Sequence, residues 1–284
     1  MKVISLFDGI SCGMIALEKV GGVERYAAFE IDENAIFVSK KNYPQIEQCG
    51  NVINADFTPY KNFDLLIGGS PCQNLCMMGN KKGLDGEQSG LFFEYVRALK
   101  EIKPKYFLLE NNASMTKANR DIITDIMQVE SVMINSVDFS AQNRRRLYWT
   151  NIPIKPWIPK HLTLKDIVEP ACDKQDYLIT NLVHKYQSPK YAGRKIRKTV
   201  TANIKTLDEP SNCLGCRCGN YGNNTGLIIH QDNDYYSVTP TEAERLQTIP
   251  DNYTAGIPTN KRFHVVGNAW TVDVIAHIFQ GLKE

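Results

Sequence analysis

The sequence predicts an α/β fold: a doubly wound, mostly parallel sheet with a small, loop-rich second domain. Three observations predict it. Over the first 150 residues short apolar runs alternate with stretches of helical periodicity, the pattern of strands joined by crossover helices. Glycines and acids recur where those strands end, at Asp8-Gly9, Glu30 and Glu110. After Asn151 the alternation stops, and Pro153, Pro156, Pro159 and Pro170 interrupt the chain.

Taken in order, Val3 to Phe7 reads as a strand and Cys12 to Val20 as a helix with Ile15, Ala16 and Leu17 turned inward. Tyr26 to Ile31 is a second strand and Asn34 to Asn42 a second helix. Phe63 to Ile67 is a strand, Leu91 to Ile102 an amphipathic helix and Tyr106 to Leu109 a strand. Lys117 to Gln128 is helical, with strands near Val132 to Val137 and Leu147 to Thr150. The 156–255 segment is rich in Lys, Asn, Gly, Thr and Cys and reads as the second domain. Thr271 to Leu282 is again an amphipathic helix. The expected division is therefore 1–155, 156–255, and a 256–284 segment returning to the first domain.

The 284 residues are 43% hydrophobic and 23% charged, ordinary values for a globular protein that buries a sizeable core. The start, MKVISLFDGISCG, lacks the apolar run of a signal peptide, and no apolar stretch reaches the ~20 residues of a membrane span. Eight scattered cysteines fit free thiols in a reducing cytoplasm. Net charge is only +2, yet eleven Lys/Arg face four acids between Lys155 and Lys205. That excess reads either as a solvated surface or as a footprint for phosphate.

Two groups of residues carry chemistry. The first strand runs into Phe7-Asp8-Gly9-Ile10-Ser11-Cys12-Gly13, where glycine lets backbone N–H groups approach a ligand at a helix N-terminus. One strand later Glu30-Ile31-Asp32 puts an acid where the hydroxyls of a ribose would sit, and Asp56 could accept from an adenine amino group. This is a nucleoside-binding layout without GxGxxG; a tight structural turn accounts for Gly9 and Gly13 almost as well. The second group begins with Pro71-Cys72-Gln73, just past the apolar run that ends in Gly68-Gly69. A thiol at that sheet edge can attack an electrophilic carbon and leave again, although free cysteine is more often a small buried apolar residue. Glu110-Asn111-Asn112 ends the next strand, where a carboxyl acts as a general acid or caps a loop. Gln142-Asn143-Arg144-Arg145-Arg146 follows. Strand alternation there would send Arg144 and Arg146 to one face, to orient a carboxylate and hold a carbonyl, unless the run is a plain surface cluster.

In order and spacing these motifs resemble the DNA cytosine-C5 methyltransferases nearly end to end. Phe7 to Ser11 resembles the family's methyl-donor loop, and Glu30 and Asp56 its ribose and adenine contacts. Cys72 falls on the nucleophile of its PCQ motif, Glu110 on the acid of ENV, and Gln142, Arg144 and Arg146 on QxRxR. Val238-Thr239-Pro240 with Glu244-Arg245-Leu246-Gln247 resembles the segment closing the target-recognition domain, and Gly267-Asn268 the last cofactor motif. Details such as Leu6-Phe7-Asp8-Gly9, Gly90-Leu91-Phe92-Phe93-Glu94 and Trp270 look similar to the animal de novo enzymes, while the compact length looks bacterial or viral. Asn112 departs from the valine of ENV, for which a change of packing is expected.

The resemblance implies a Rossmann-like methyltransferase domain that carries a methyl group from S-adenosylmethionine to C5 of a flipped-out cytosine in double-stranded DNA, releasing S-adenosylhomocysteine. It implies Cys72, Glu110, Arg144 and Arg146 as the catalytic set, with Cys72 attacking C6, Glu110 at N3, Arg146 on O2 and Arg144 bracing Glu110. The cofactor set is Phe7, Asp8, Gly9, Ile10, Ser11, Glu30, Ile31, Asp56, Phe57, Leu91, Asn268, Ala269 and Trp270. Expected DNA contacts are Gln73, Asn74, Gln142, Arg194, Lys195, Arg197, Lys198 and Arg217. No metal is expected: Cys213, Cys216 and Cys218 are closely spaced, but no second CxxC pair completes a zinc set. Expected partners are DNA and a cognate restriction endonuclease in a bacterial or phage-infected cytoplasm, with the chain a monomer or a homo-oligomer through its catalytic domain. A tRNA-methylating branch of the family carries a Cys-Phe-Thr tripeptide that is absent here. A catalytically inert DNA binder would need none of Cys72, Glu110 and Arg146, and Cys72 and Cys76 lack redox CxxC spacing.

Overall fold

The computed structural model describes residues 1–70, 90–220 and 222–283. The Cys72, Gln73 and Asn74 assignments lie outside the described residues. Two compact units are present. The first comprises Met1–Asn135, Arg145–Pro156 and the chain from Val274; the second comprises Ser136–Arg144 and Trp157–Asp273. The return to the first unit thus begins at Val274 rather than at residue 256, and the short run before Arg145 belongs to the second unit.

In the first unit β1 (Lys2–Leu6), α1 (Cys12–Glu18), β2 (Arg25–Phe29), α2 (Glu33–Asn42), β3 (Glu47–Gln48), β4 (Leu65–Gly69), α3 (Gly90–Ile102), β5 (Tyr106–Asn112), α4 (Lys117–Met127), β6 (Ser131–Asn135) and β7 (Arg145–Thr150) follow in order. They form a seven-stranded sheet of order β3-β2-β1-β4-β5-β7-β6. The strands run parallel from β3 to β5, and β7 is antiparallel to both of its neighbours. The inner strands are apolar on both faces because helices cover both, so β1 and β4 are almost wholly buried. Ile4, Leu6, Phe29, Leu66, Tyr95, Leu109 and Trp149 are central in this core.

Strand order reverses beside β1, which has β2 on one side and β4 on the other. The crevice at such a switch point, outside the carboxyl ends of the strands, is where open α/β sheets bind ligands. The ends of β1 and β2 come earlier than expected for a physical reason. Phe7 has φ 59, outside the extended region, so β1 stops at Leu6. The Glu30 carboxylate accepts from the backbone N–H groups of Ile31 (2.7 Å) and Asp32 (2.9 Å), which folds the chain over after Phe29. Asp32 then caps α2, accepting from Asn34 N and Ala35 N.

The second unit is more regular than the expected loop-rich domain. It contains α5 (Thr180–Gln187), α6 (Lys195–Asn203), β8 (Ile204–Thr206), β9 (Ile228–Gln231), β10 (Asp234–Ser237), α7 (Pro240–Leu246) and α8 (Thr259–Asn268). A last helix, α9 (Val272–Phe279), begins in this unit and ends in the first. The strands form a sheet of order β10-β9-β8. Its core gathers Leu164, Leu214, Leu227, Ile229, Leu246 and Val266. Lys174 is fully buried there, donating to Glu242 Oε1 at 2.6 Å with the Tyr236 ring 5.0 Å away. Glu242 also accepts from the backbone N–H of Glu169 (3.1 Å) and Thr239 (2.9 Å), so the buried carboxylate is compensated on both oxygens. No helix among the described residues is long and apolar enough to cross a membrane.

Candidate active site

The loop after β1 is built by three left-handed residues, Phe7 (φ 59), Gly9 (φ 61) and Ser11 (φ 61). Its N–H groups at Asp8 and Ser11 bond back within the fold, to Phe29 O (3.1 Å) and Asp8 O (3.2 Å), which fixes the shape of the turn. Glu30 closes the loop from β2, its Oε2 accepting from Gly9 N at 2.8 Å. A carboxylate has roughly four lone-pair sites. With Gly9, Ile31 and Asp32 all donating to it, Glu30 shapes the loop and has room for about one further donor, such as a ribose hydroxyl. Ile31 beside it is 69% exposed, an apolar surface of the kind a purine face covers. Asp56 is exposed and caps the next turn; the Thr58 hydroxyl and then the Thr58 N–H (2.9 Å) donate to its carboxyl and hold it below the usual range. Phe57 is buried edge-on against Phe29 at 5.7 Å, under the Arg97 guanidinium 4.5 Å from its ring. Arg97 also donates to the carbonyls of Ala55 and Val52 and so holds the Asp56 loop. These residues therefore fit an adenosine-bearing methyl donor: a tight loop, a carboxylate, an apolar face and a second carboxylate on one edge of the unit. Ile10 is buried, and Leu91 is half-buried in the first turn of α3.

Two residues that meet this loop, Tyr26 and Ser39, escaped the sequence reading. Tyr26 donates to Asp8 Oδ1 at 2.7 Å, and Ser11 donates to Asp8 Oδ2 at 2.5 Å. Ser39, from α2, bonds the Ser11 hydroxyl at 2.7 Å. Tyr26 and Ser39 carry no motif; only the fold brings them to Asp8. Desolvation raises the Asp8 carboxyl from 3.8 to about 6, against the hydroxyl donors and with the neighbouring Glu30 charge adding to the rise. The native state then holds a proton that the unfolded chain releases, so stability falls as pH rises through this window and is level above it. Asp8→Asn is expected to remove that loss: its melting temperature relative to the native sequence should climb between about pH 4 and pH 6 and then stay constant.

At the other strand ends, Gly69 of β4 pairs with Glu110 of β5. Asn111, itself buried, donates to the carbonyl (3.2 Å) and hydroxyl (3.4 Å) oxygens of Ser70, tying the chain just past β4 to β5. Cys72 follows Ser70 by two residues in the sequence. Asn112 pairs with Arg146 across β5 and β7, and accepts from Ser114 N (3.0 Å) to start the next turn. Glu110 lies two residues earlier on the same face, within reach of a diagonal neighbour. Arg146 Nε sits 2.8 Å from Glu110 Oε1, with both side chains nearly buried.

The expectation for Arg144 is corrected. β7 begins at Arg145, so strand alternation does not govern Arg144, and Arg146 is the arginine that braces Glu110. Arg144 is 4% exposed. Its guanidinium donates to the carbonyls of Leu214 (3.0 Å), Gly267 (3.3 Å) and Ala269 (2.9 Å), and Nη1 lies 3.6 Å from the Cys213 sulfur. Gln142 is also corrected: it is fully buried, donates to Leu246 O (3.1 Å) and Gln247 Oε1 (3.3 Å), and accepts from Leu214 N (2.9 Å). A side chain so enclosed has no face for DNA. Gln247 completes this hub by donating to Val266 O and Ala269 O and accepting from Thr271. The predicted cofactor residues Asn268, Ala269 and Trp270 lie in the second unit, with Asn268 exposed, Ala269 buried and Trp270 half-buried.

Among the predicted DNA contacts of this unit, Arg194, Lys195, Lys198 and Arg217 are exposed, whereas Arg197 is half-buried and donates to Ser188 O at 3.2 Å. The cysteines have local partners. Cys216 donates to Asn268 Oδ1 (2.8 Å), and burial pushes the Cys218 thiol up to about 12. No group of three His, Cys, Asp or Glu that could hold a metal occurs among the described residues.

Comparison with known proteins adds three findings. The model of the C-5 cytosine-specific DNA methylase family matches residues 1–284. The Type II methyltransferase M1.ScrFI of Lactococcus lactis subsp. cremoris is 27% identical over 306 residues, covering 100% of this chain and 78% of that protein. M.NgoPII of Neisseria gonorrhoeae, also named a Type II methyltransferase, is 28% identical over 335 residues, covering 100% of this chain and 96% of its own. Among solved structures, a Spodoptera frugiperda DNMT2 variant superposes with a TM-score of 0.77 at 18% identity, covering 100% of this chain and 99% of that one, a likeness of fold.

Proposed function

The chain belongs to the C-5 cytosine-specific DNA methylases, and from that premise we propose how its own residues carry the reaction. It is a DNA (cytosine-5-)-methyltransferase that uses S-adenosylmethionine, and its substrate is DNA. The observation that supports the detailed reading best is the nearly buried Glu110–Arg146 pair beside the end of β4, three residues before Cys72 in the sequence.

Cytosine C5 is a poor nucleophile until a group adds at C6. Cys72 adds as thiolate, forming a C6–S bond and making C5 enamine-like. Glu110 protonates or hydrogen-bonds N3 and so takes up the charge that develops on the ring. Arg146 holds Glu110 in place; its guanidinium fork has five donors, enough to brace the carboxylate and also hold O2 of the base. When bound, S-adenosylmethionine supplies the methyl group to C5. A base then removes the C5 proton, the C6–S bond breaks, and Cys72 is restored. None of these contacts is possible in a stacked duplex, so the cytosine is flipped out at a cost of a few kcal/mol. Glu30, Ile31 and Asp56 hold the donor's ribose and adenine, with the Phe7 to Ser11 loop shaping the pocket. By likeness to the Type II enzymes, the genetic partner is a restriction endonuclease cutting the same site.

Cys72→Ala tests the covalent step. DNA carrying 5-fluorocytosine cannot lose a proton from C5, so it should leave the native protein covalently attached under denaturing conditions. The variant should give no adduct and no methylation, while binding the same duplex. Turnover retained in Cys72→Ala would overturn the mechanism. Bisulfite sequencing of DNA and of tRNA from cells making the protein reads the substrate directly; modification confined to tRNA would overturn the DNA assignment.

A further inference from the structure

The second unit carries a groove that none of the motifs above accounts for. It has a volume of about 470 Å³ and lies between α6 and the chain that follows Gly219. We infer that this groove reads base edges of the DNA flanking the target cytosine, with Asn220, Asn223 and Asn224 as specificity-determining residues and Lys195 holding the neighbouring phosphate. The inference rests on the DNA reading of the previous subsection and deepens it.

The lining argues for bases rather than phosphate alone. One wall is Lys195, Ile196 and Thr199 from the first turns of α6; the other is Asn220, Gly222, Asn223 and Asn224. Among the described residues no carboxylate lines it. A phosphate site asks for cations and N–H donors. Three neutral amides add little charge, but an amide with both groups available presents a donor and an acceptor side by side, which is the pattern that matches the major-groove edge of adenine. Lys195 is exposed and adjoins exposed Arg194 and Lys198, the cationic flank a phosphodiester follows.

The groove is also held in shape. Asn203, buried at the end of α6, donates from Nδ2 to Asn223 O at 2.7 Å and ties the second wall to the helix. Asn220 accepts from Gly222 N at its side-chain oxygen (3.0 Å), and Asn223 N and Gly226 N continue the turn onto Asn220 O and Asn223 O. The Asn220 Oδ1 acceptor is therefore used within the loop, and its amide N–H groups are the part that would face a base. Glycine is required at 226, where the backbone approaches most closely. A Cβ on Gly226 would stand 2.5 Å from Asn220 O, and one on Gly222 would stand 3.2 Å from Ile196 Cδ1. A wall fixed in this way reads a base without first losing loop entropy.

The test compares the full-length native protein with Asn224→Ala, Asn220→Asp and Lys195→Ala on a duplex library randomised around cytosine, with methylated contexts read by bisulfite sequencing. Asn220→Asp keeps the acceptor for Gly222 N, removes the amide donors and adds a negative charge, so its overall binding is read separately from its context profile. Asn224→Ala is expected to reduce discrimination at one position of the site about tenfold or more, and Asn220→Asp to change the preferred base at one position. Lys195→Ala should instead weaken all contexts alike and reduce the salt slope of binding by about one. Where a variant turns over too slowly, competition binding between the preferred duplex and its single-base relatives gives the same discrimination. Context profiles of Asn224→Ala and Asn220→Asp that superpose on the native profile overturn the inference. A native protein that leaves every duplex unmethylated fails the underlying DNA reading instead, so the two failures are distinct.

Discussion

Glu110→Gln is expected to lower methyl transfer by about 10²–10⁴-fold, the range for a positioned general acid, while cofactor and DNA binding change little. Gln keeps the shape and can still accept a hydrogen bond, but it has no proton to give N3 and no charge for Arg146 to brace. Because Arg146 Nε approaches Glu110 Oε1 at 2.8 Å with both side chains nearly buried, the two act as a unit. Arg146→Ala should therefore cost a similar factor, and the double variant little more than either single one. Arg146→Lys keeps the charge without the planar fork and should recover only part of the rate. Single-turnover rates on a duplex with one target site, together with Kd for that duplex, check both statements. Additive losses in the double variant would show that the pair is not one device.

Arg144→Met is expected to act on stability and only secondarily on the reaction. It removes the donors to the carbonyls of Leu214, Gly267 and Ala269, inside a unit where water does not replace them. An unsatisfied buried polar group costs about 1–3 kcal/mol, so urea denaturation should show a loss of about 3 kcal/mol or more. The clamped carbonyls flank Asn268, so at a temperature where the variant is folded KM for S-adenosylmethionine should rise while the single-turnover rate at saturation is kept. Arg144→Lys should restore part of the stability. A variant of unchanged stability and lost rate would return Arg144 to the catalytic set.

Much of the site was legible because its residues sit at strand ends in sequence order. Glu30, Glu110 and the Phe7 to Ser11 loop each follow an apolar run, and a parallel sheet brings all such ends to one edge. Arg146 was legible for the same reason, as part of a strand. Arg144 was misread because it was put on the same strand face as Arg146, and Gln142 because its DNA role came from the motif resemblance alone. The chain changes unit after Arg144, so period-two alternation breaks between Arg144 and Arg145. The second unit looked loop-rich because short helices such as α6, nine residues long, carry weak apolar patterns. Their stability comes from packing on β8 to β10 rather than from propensity.

The sequence by itself determined the chemistry and the order of the sheet's working edge: residue type is set at each strand end, and a repeated strand–helix alternation leaves one parallel arrangement that buries both faces. Tertiary structure alone decided which partner each polar group meets. The choice of Arg146 over Arg144 for Glu110, the bond from Tyr26 to Asp8, and the burial of Gln142 all depend on contacts between residues far apart in the chain. Those contacts follow from desolvation. Once a donor or carboxylate is removed from water, it must be met by whichever group the fold places within about 3 Å, and no local pattern records that placement.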